Sequence, residues 1–321
     1  MSKAATQCIN DIYEFHEEMG HGRYASIFKA RRKHSNHSVH SSSVRSECAL
    51  KVIDKNEFWG RVSSGRERVD TLVREVAVQA TLTSGEYQDF FVKIHGIFET
   101  TENFVLELEL LDGTDLFRHI SSKGVLEEVE AALIMRDILI SLATTRRLGI
   151  AHRDVKLANI LMCTDFNELE DVSVKLADYG MGTFVGVDGL VRGRCGTPGY
   201  VAPEILCAGT SCGYGNKIDL FSAGVVMYIL LCGYEPFYGE TDAQLVAANK
   251  AAVVEFDEFD FAGVSDEAKA LVAQLLDSDP ITRIDAAEAL QHPWIVNRVP
   301  PSRWLNGRYL SSRNYESCVV S

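Results

Sequence analysis

The chain lacks a hydrophobic run long enough to cross a membrane. Its longest apolar stretch, AGVVMYILLCG at residues 223–233, is shorter than the roughly 20 residues that a transmembrane helix needs. We therefore predict a buried helix at that position and no membrane partner. The first residues, MSKAATQCINDIYEF, have neither the basic start nor the apolar centre of a secretory signal.

Paired cysteine motifs are also missing. None of the eight cysteines forms a C-x-x-C pair, and their spacing matches no zinc ribbon or finger. In a chain of this length such cysteines indicate reduced thiols. We therefore expect an intracellular protein, in the cytoplasm, the nucleus or both. The positions are Cys8, Cys48, Cys163, Cys195, Cys207, Cys212, Cys232 and Cys318.

Positive charge is scarce. The 32 lysines and arginines face 45 acidic residues, which leaves a net charge of −13. Because nucleic-acid binding depends on clustered cations that neutralise phosphates, we expect no nucleic-acid partner. A basic peptide partner is compatible with this balance. The 321 residues, 46% of them hydrophobic, suffice for one large domain or two smaller ones.

Strand patterns fill the first third of the chain. Residues 13–32 resemble a hairpin, residues 48–55 alternate like a strand, and residues 90–111 predict two strands with a turn at 100–103. One helix interrupts them at residues 67–82, with Val69, Leu72, Val73 and Val76 at helical spacing. The polar stretch at residues 34–46 predicts a surface loop, and its three histidines lack the acidic or cysteine partners of a metal site.

Helical patterns dominate the remainder. Residues 126–149 predict a long amphipathic helix and residues 285–295 a late one. We therefore predict an α+β fold with two lobes that share a cleft, the first small and strand-rich, the second larger and helical. The lobes should cover about residues 13–110 and 111–295. Residues 1–12 would be an extension, and residues 296–321 a tail.

The polar residues of this framework meet the needs of phosphoryl transfer. Gly20, Gly22 and Ala25, followed by Ile27, would let backbone amides approach phosphate oxygens, although a tight hairpin also explains them. Lys51 on a strand and Glu75 on a helix supply a cation and the carboxylate that holds it. Taken singly, each would be an ordinary solvated residue. The other polar residues that phosphoryl transfer needs are two acids and an amide, namely Asp154, Asp178 and Asn159.

The full set, in this order, resembles that of the eukaryotic protein kinases. GTPGYVAPE at residues 196–204 is similar to the end of a kinase activation segment. KIDLFSAGVVMYILLCGYEPF, which carries Asp219, is similar to the central helix, and ITRIDAAEALQHPWI to the last helices. Arg283 is the expected partner of Glu204. The resemblance covers residues 13–295, and the calcium/calmodulin-dependent kinase group is the most similar.

The resemblance implies a serine/threonine kinase that uses ATP and Mg²⁺ on protein substrates. Asp154 would orient the substrate hydroxyl, and Lys156 would neutralise charge on the transferred group. Asn159 and Asp178 would hold magnesium, and Lys51 would pair with Glu75. Nucleotide contacts would come from Gly20, Gly22, Ala25, Ile27, Ala49 and Lys51, and from a hinge pair that is either Glu109–Leu110 or Glu107–Leu108. The alternative is a pseudokinase scaffold, which would be favoured by loss of one of these residues.

Some positions depart from the family pattern. Tyr179 replaces the usual Phe and should add a hydroxyl near the magnesium Asp, Asp178. Leu157 with Ala158 replaces Pro-Glu. Because that Glu often contacts arginine in substrates, a strong arginine preference is not expected. Asp115 stands where the group commonly has a Glu with the same purpose and could keep part of it. Gly193 stands where many kinases carry an activating Thr, so we predict activity without activation-loop phosphorylation.

The tail allows two interpretations. Its arginines alternate with Trp304, Leu305, Tyr309 and Leu310, which is the chemistry that a calmodulin groove accepts. Two prolines and Gly307 oppose one continuous helix. The alternative is a tail that packs on the helical lobe through Trp304 and frays beyond it.

Overall fold

The computed structural model describes residues 9–22, 24–33, 47–164, 172–207 and 213–304. The predicted histidine-containing loop and the tail from residue 305 onward lie outside these residues. Contacts divide the chain into two compact units. The first unit consists of residues 1–84 and 92–110, and the second of residues 85–91 and 111–321.

The first unit is built on a five-stranded antiparallel sheet in the order β1-β2-β3-β5-β4. The predicted hairpin and the three further strands are confirmed. The turn of the hairpin closes where the Gly22 amide donates to the Ala25 carbonyl at 2.6 Å. The strands are β1 (Tyr13–His21), β2 (Ala25–Arg32), β3 (Glu47–Asp54), β4 (Ile94–Glu99) and β5 (Asn103–Leu108), and a short helix α1 (Ile9–Ile12) precedes them.

A helix that the sequence analysis missed follows β3. Helix α2 (Lys55–Ser63) begins at Asp54, whose carboxylate accepts from the Glu57 amide at 2.7 Å. Only Phe58 of this helix is buried, in edge contacts with Tyr24 and Phe104. One buried residue in nine leaves no apolar periodicity to detect.

The predicted helix after α2 is confirmed as α3 (Thr71–Thr83), but its buried face differs from the expected one. Val69 and Val73, assigned to the apolar face, are 64% and 71% exposed. Glu75 and Gln79 are buried instead, because the first pairs with a lysine and the second donates to the Val92 carbonyl at 2.9 Å. The buried face of α3 also carries Val78 and Leu82, four residues apart, so apolar spacing and polar partners together decide which face turns inward.

The second unit is mainly helical. Its helices are α4 (Leu116–Lys123), α5 (Glu128–Arg147), α6 (Pro203–Cys207), α7 (Ile218–Cys232), α8 (Asp242–Ala251), α9 (Asp266–Leu275), α10 (Ala286–Leu290) and α11 (Pro293–Arg298). Two small ladders pair β6 (Ile150–Ala151) with β9 (Thr183–Phe184) and β7 (Ile160–Met162) with β8 (Val174–Leu176). The predicted α+β architecture is confirmed.

Two helix predictions need correction. Helix α5 is not amphipathic over most of its length, since every residue from 130 to 145 is buried among α7, α10, α11 and β8. The late helix is broken into α10 and α11, because Pro293 starts a new helix capped by His292. The predicted buried helix is confirmed as α7. Among the described residues, no helix combines the length and apolarity needed to span a membrane.

Glu128 joins three helices of the second unit. Its carboxylate accepts from the amide and hydroxyl of Ser265 at 2.7 and 2.8 Å, and from the Trp294 indole at 2.6 Å. Arg298 lies 2.7 Å away. Burial alone would raise the pKa of Glu128. The donors from Ser265, Trp294 and Arg298 outweigh burial and lower it, so the folded state favours the ionised form.

We predict that Glu128→Gln destabilises the protein by about 1–3 kcal/mol at pH 7. The amide offers one acceptor oxygen in place of two, so some of the groups that donate to the carboxylate lose their acceptor. The pKa of Glu128 is lower in the folded chain than its unfolded value of about 4.3. Its contribution is therefore present above that pH and is lost as the pH falls through the folded pKa. Urea unfolding between pH 7 and pH 3 measures both effects.

The matched control is Glu127→Gln, which removes the same charge from the exposed neighbouring residue. Equal stability losses in the two variants at pH 7 would contradict a specific role for the Glu128 contacts.

Candidate active site

The loop that follows β6 is fixed by a buried carboxylate. At the start of α7, Asp219 accepts from the backbone amides of His152 and Arg153 at 2.8 Å each. Burial raises the pKa of Asp219, and the two amides supply the compensation that a buried carboxylate requires. Arg153 has a φ of 69°, an uncommon conformation for a non-glycine residue that is often found at functional sites.

Asp154 lies next in the chain and receives three side-chain donors. The Thr197 hydroxyl donates to its Oδ1 at 2.6 Å, while Lys156 Nζ and Asn159 Nδ2 lie 2.8 and 3.0 Å from its Oδ2. The carboxyl is 6% exposed. Lys156 also donates to the Thr197 hydroxyl at 2.9 Å. The predicted catalytic acid and lysine are thus brought together, and Thr197 is held between them.

The two predicted magnesium ligands lie at one end of the β7–β8 ladder. Asn159 directly precedes β7, and its carbonyl accepts from the Ala177 amide at 2.9 Å, one residue before Asp178. Asn159 Nδ2 donates to the backbone oxygen and the carboxylate of Asp154. The side-chain atom that could bind magnesium is therefore Oδ1. Asp178 is exposed and has a φ of 59°.

This donor set suits magnesium bound together with phosphates. Among the described residues no group of three or more His, Cys, Asp or Glu could hold a metal ion by itself. One carboxylate and one amide oxygen, from Asp178 and Asn159, match a cation that takes few protein ligands and completes its shell with phosphate oxygens and water. The residues present therefore fit the ion that the family implies.

Tyr179 does not add a free hydroxyl beside Asp178. Its side chain is fully buried, and its hydroxyl donates to the Leu176 carbonyl at 2.9 Å. Burial raises the pKa of Tyr179 well above its usual value, so the hydroxyl stays protonated. The ring lies edge-on to His152 at 5.0 Å between centroids. Tyr179 thus packs against the loop that follows β6.

In the first unit, Lys51 and Glu75 form the expected ion pair. Lys51 Nζ lies 2.5 Å from Glu75 Oε1, and the Glu75 side chain is 4% exposed. Four of the other predicted nucleotide contacts lie on strands β1 to β3 of the same sheet, namely Gly20, Ala25, Ile27 and Ala49. Gly22 lies in the turn after β1, and Glu109 and Leu110 follow the end of β5. Ile27 opposes Lys51 across β2 and β3, and Leu108 at the end of β5 opposes Ala49.

Hydrogen bonds from Tyr214 hold the activation segment at Gly193 and Val191. The Tyr214 hydroxyl donates to the Gly193 carbonyl at 2.5 Å, and Tyr214 exchanges two backbone hydrogen bonds with Val191 at 2.8 and 2.9 Å. Burial raises the pKa of Tyr214 to about 12, so the donor is retained at neutral pH. Gly193 has a φ of 94°, which a side chain at that position would strain.

Arg153 also forms hydrogen bonds with the backbone of this segment. Its guanidinium donates to the carbonyls of Met181 and Arg192 at 2.6 and 3.2 Å. In the kinases that the sequence resembles, an arginine at this position pairs with the activating phosphate. Here the carbonyls of Met181 and Arg192 accept hydrogen bonds from the arginine. The sequence analysis missed Tyr214 entirely, because a lone tyrosine in a loop carries no motif.

Comparison with known proteins agrees with this geometry. The family model described as the protein kinase domain matches residues 13–295. Myosin light chain kinase A from Dictyostelium discoideum is 34% identical over 287 residues, which cover 89% of this chain and 89% of that protein. Calcium/calmodulin-dependent protein kinase type 1B from Rattus norvegicus is 33% identical over 294 residues, covering 91% of this chain and 78% of that protein.

The chain belongs to the protein kinase family. It is an ATP-dependent serine/threonine protein kinase, and the relatives named above are members of the calcium/calmodulin-dependent group that its motifs resemble. The predicted family, fold and reaction are confirmed.

We predict that phosphatase treatment leaves most of the kinase activity intact, since Tyr214 and Arg153 already order the segment around Gly193. By contrast, Tyr214→Phe should lower kcat/KM about fivefold, because one hydrogen bond contributes about 1 kcal/mol. Peptide phosphorylation rates before and after treatment measure the first effect, and the variant's rates measure the second. A large loss on phosphatase treatment that mass spectrometry maps to Thr183 would refute this prediction.

Proposed function

We propose that Asp154, Lys156, Lys51 and Glu75 carry the transfer of the ATP γ-phosphoryl group to serine and threonine hydroxyls of proteins. The network around Asp154 is the observation that supports this assignment most directly. A nearly buried carboxylate beside a lysine is suited to accept a hydrogen bond from a substrate hydroxyl and to orient it for attack. Phosphoryl transfer depends mainly on such positioning and on charge stabilisation.

Each further residue has a part in this scheme. Lys156, which already reaches Asp154 and Thr197, would neutralise charge on the transferred group. Lys51, held by Glu75, would place its ammonium on phosphate oxygens. Asn159 and Asp178 would hold magnesium through Oδ1 and the carboxylate. Bound magnesium would supply positive charge to the phosphate oxygens.

The nucleotide would be contacted by Gly20, Gly22, Ala25, Ile27 and Ala49, in addition to Lys51. For the hinge we propose Glu109–Leu110 in place of Glu107–Leu108. Strand β5 ends at Leu108, and the boundary between the two units follows Leu110. The Glu107 carboxylate is 3.9 Å from Arg32 within the sheet, which supports a structural role for that residue.

The proposal is tested by Asp154→Asn, which keeps the side-chain shape and removes the charge. We predict a kcat about 10²–10⁴-fold lower, because the variant loses transition-state help while the core packing around it is unchanged. Magnesium-ATP-dependent transfer to a serine/threonine peptide library, with circular dichroism as the folding check, measures it.

Glu258→Gln, a charge removal at an exposed residue, is the matched control and should transfer phosphate like the wild type. Wild-type protein that transfers no phosphate to any peptide, with magnesium or manganese, would favour the pseudokinase alternative instead.

Calmodulin binding by the tail is a second candidate property. It is supported by the arginine-aromatic composition of residues 296–321 and by a relative named as calcium/calmodulin-dependent. The first part of the tail packs on the second unit, where Arg303 donates to the Val172 carbonyl and its own carbonyl accepts from Arg136 at 2.6 Å. Trp304 is half-buried. Calmodulin would therefore bind beyond Trp304 or displace these contacts.

We predict that the full-length chain binds calcium-loaded calmodulin at micromolar concentration, and that deletion of residues 305–321 abolishes binding. Calorimetric titration with calcium and with a chelator measures this. Equal binding heats for the chains with and without residues 305–321 would contradict calmodulin binding by the tail. The interpretation that the tail only packs on the helical lobe would then remain. We also propose an intracellular location, supported by the free thiols of Cys48, Cys195 and Cys232 among the described residues.

A further inference from the structure

Helix α5 carries a buried ion pair that takes no part in the proposed chemistry. Asp137 is fully buried, and Arg136 is 4% exposed. Asp137 Oδ1 accepts from Arg136 Nε at 2.8 Å and from a second nitrogen of the same guanidinium. A buried ion pair is often no more stabilising than well-packed apolar residues of similar volume. Stability alone is therefore a poor explanation for its presence.

The pair also binds backbone groups of distant segments. Asp137 Oδ2 accepts from the amide of Val174, the first residue of β8, at 3.1 Å. Arg136 Nη1 donates to the Arg303 carbonyl at 2.6 Å, and the Arg303 guanidinium donates to the Val172 carbonyl. These contacts close a ring that joins α5, the start of β8 and the segment after α11. We call the ring of Arg136, Asp137, Val172, Val174 and Arg303 the β8 anchor.

The register of strand β8 depends on contacts outside its own ladder. The ladder with β7 has three residue pairs, from Met162–Val174 to Ile160–Leu176. A shift by one residue would turn every side chain of the strand to the opposite face, and so short a ladder has few bonds to oppose it. The β8 anchor opposes the shift, because a displaced Val174 amide would leave the buried Asp137 carboxylate with one donor fewer.

Strand β8 leads directly to Asp178. Immediately before Asp178, the Ala177 amide donates to the Asn159 carbonyl at 2.9 Å, and the Ala177 carbonyl lies 3.0 Å from His152 Nε2. The φ of Asp178 is 59°, a conformation that persists only where the surrounding structure holds it. The register of β8 therefore decides where Asp178 lies relative to Asn159.

We propose that Asp137 and Arg303 are positioning residues for Asp178. Through the β8 anchor they hold β8 in the register that places the Asp178 carboxylate at the Asn159 end of the ladder. This inference rests on the proposed role of Asp178 and Asn159 as magnesium ligands. It gives a supporting role to a segment outside the kinase domain match, which ends at residue 295.

The test measures ATP binding to the full-length chain by calorimetry, with magnesium and with EDTA. Arg303→Ala removes the donor to Val172 and keeps the backbone carbonyl that Arg136 uses. We expect this variant to bind ATP with magnesium about tenfold more weakly than the wild type, equivalent to about 1.4 kcal/mol. ATP in EDTA should bind equally to both. In kinetic assays the KM for magnesium should rise by a similar factor, while the KM for the peptide is unchanged.

Arg298→Ala is the matched control. Arg298 is also a partly buried arginine, but its partner is Glu128 near the start of α5, and it has no part in the β8 anchor. This variant should lose stability and keep the wild-type affinity for ATP with magnesium. Arg303→Lys, which keeps a cationic donor, should retain most of that affinity. An equal loss of affinity in Arg298→Ala and Arg303→Ala would show general destabilisation and overturn the proposal.

Hydrogen exchange supplies a measurement that needs no nucleotide. The amides of residues 174–178 should exchange about tenfold faster in Arg303→Ala than in the wild type, because the start of β8 opens more often. Asp137→Asn should behave similarly if thermal unfolding shows that it folds, and Arg303→Ala decides the question if it does not. Unchanged exchange at these residues in Arg303→Ala, or unchanged affinity for ATP with magnesium, would overturn the proposal.

Asp178→Asn separates a failure of this inference from a failure of the proposed function. If Asp178 binds no magnesium, Asp178→Asn will bind ATP with magnesium as tightly as the wild type does. If only the inference about the β8 anchor is wrong, Asp178→Asn will lose affinity while Arg303→Ala keeps it.

Discussion

The carboxylate of Asp219 is the contact on which the geometry of the site depends. Two backbone amides, those of His152 and Arg153, converge on it at 2.8 Å, from the start of a helix that is buried almost throughout. The loop before Asp154 is thereby fixed to a buried helix of the second unit. The uncommon φ of Arg153 is maintained by these bonds, because a backbone held at two successive amides has little freedom to relax.

Short hydrogen bonds to Asp154, which directly follows this loop, position the other polar groups of the site. The Asp154 carboxylate accepts from Lys156, Asn159 and Thr197, so the proposed catalytic acid, the lysine and the proposed magnesium ligand are fixed relative to one another. Such shared fixation is what catalysis by positioning requires, since small displacements of reacting groups reduce rates steeply. Thr197 connects this network to the activation segment, and the conformation of that segment is therefore coupled to the acid.

Hydrogen bonds within the chain hold the activation segment at Gly193 and Arg153. A phosphate at this place would bring charge to bind an arginine. Here Arg153 is engaged by two backbone carbonyls, and a buried tyrosine hydroxyl holds the Gly193 carbonyl. The bonds from Arg153 are assisted by its charge, whereas the tyrosine bond is neutral and therefore weaker.

The sequence by itself indicated the family, the α+β fold and the five strands of the first unit. It also predicted Lys51, Glu75, Asp154, Asn159 and Asp178 as the residues of phosphoryl transfer, because that chemistry requires those residue types at characteristic places in the chain. It also predicted the partnership of Glu204 with Arg283, which the structure shows as a two-bond ion pair at 2.7 and 2.9 Å.

Tertiary structure decided the features that depend on partners distant in the chain. Val73 is exposed and Gln79 buried, because burial on α3 follows hydrogen bonding across the unit and not apolar spacing alone. Tyr214 meets Gly193 across 21 residues, and Asn249 meets Val201 across 48. Neither pair leaves a local pattern, since periodicity and motifs record only what neighbouring residues share, while these contacts arise when packing brings separate segments together.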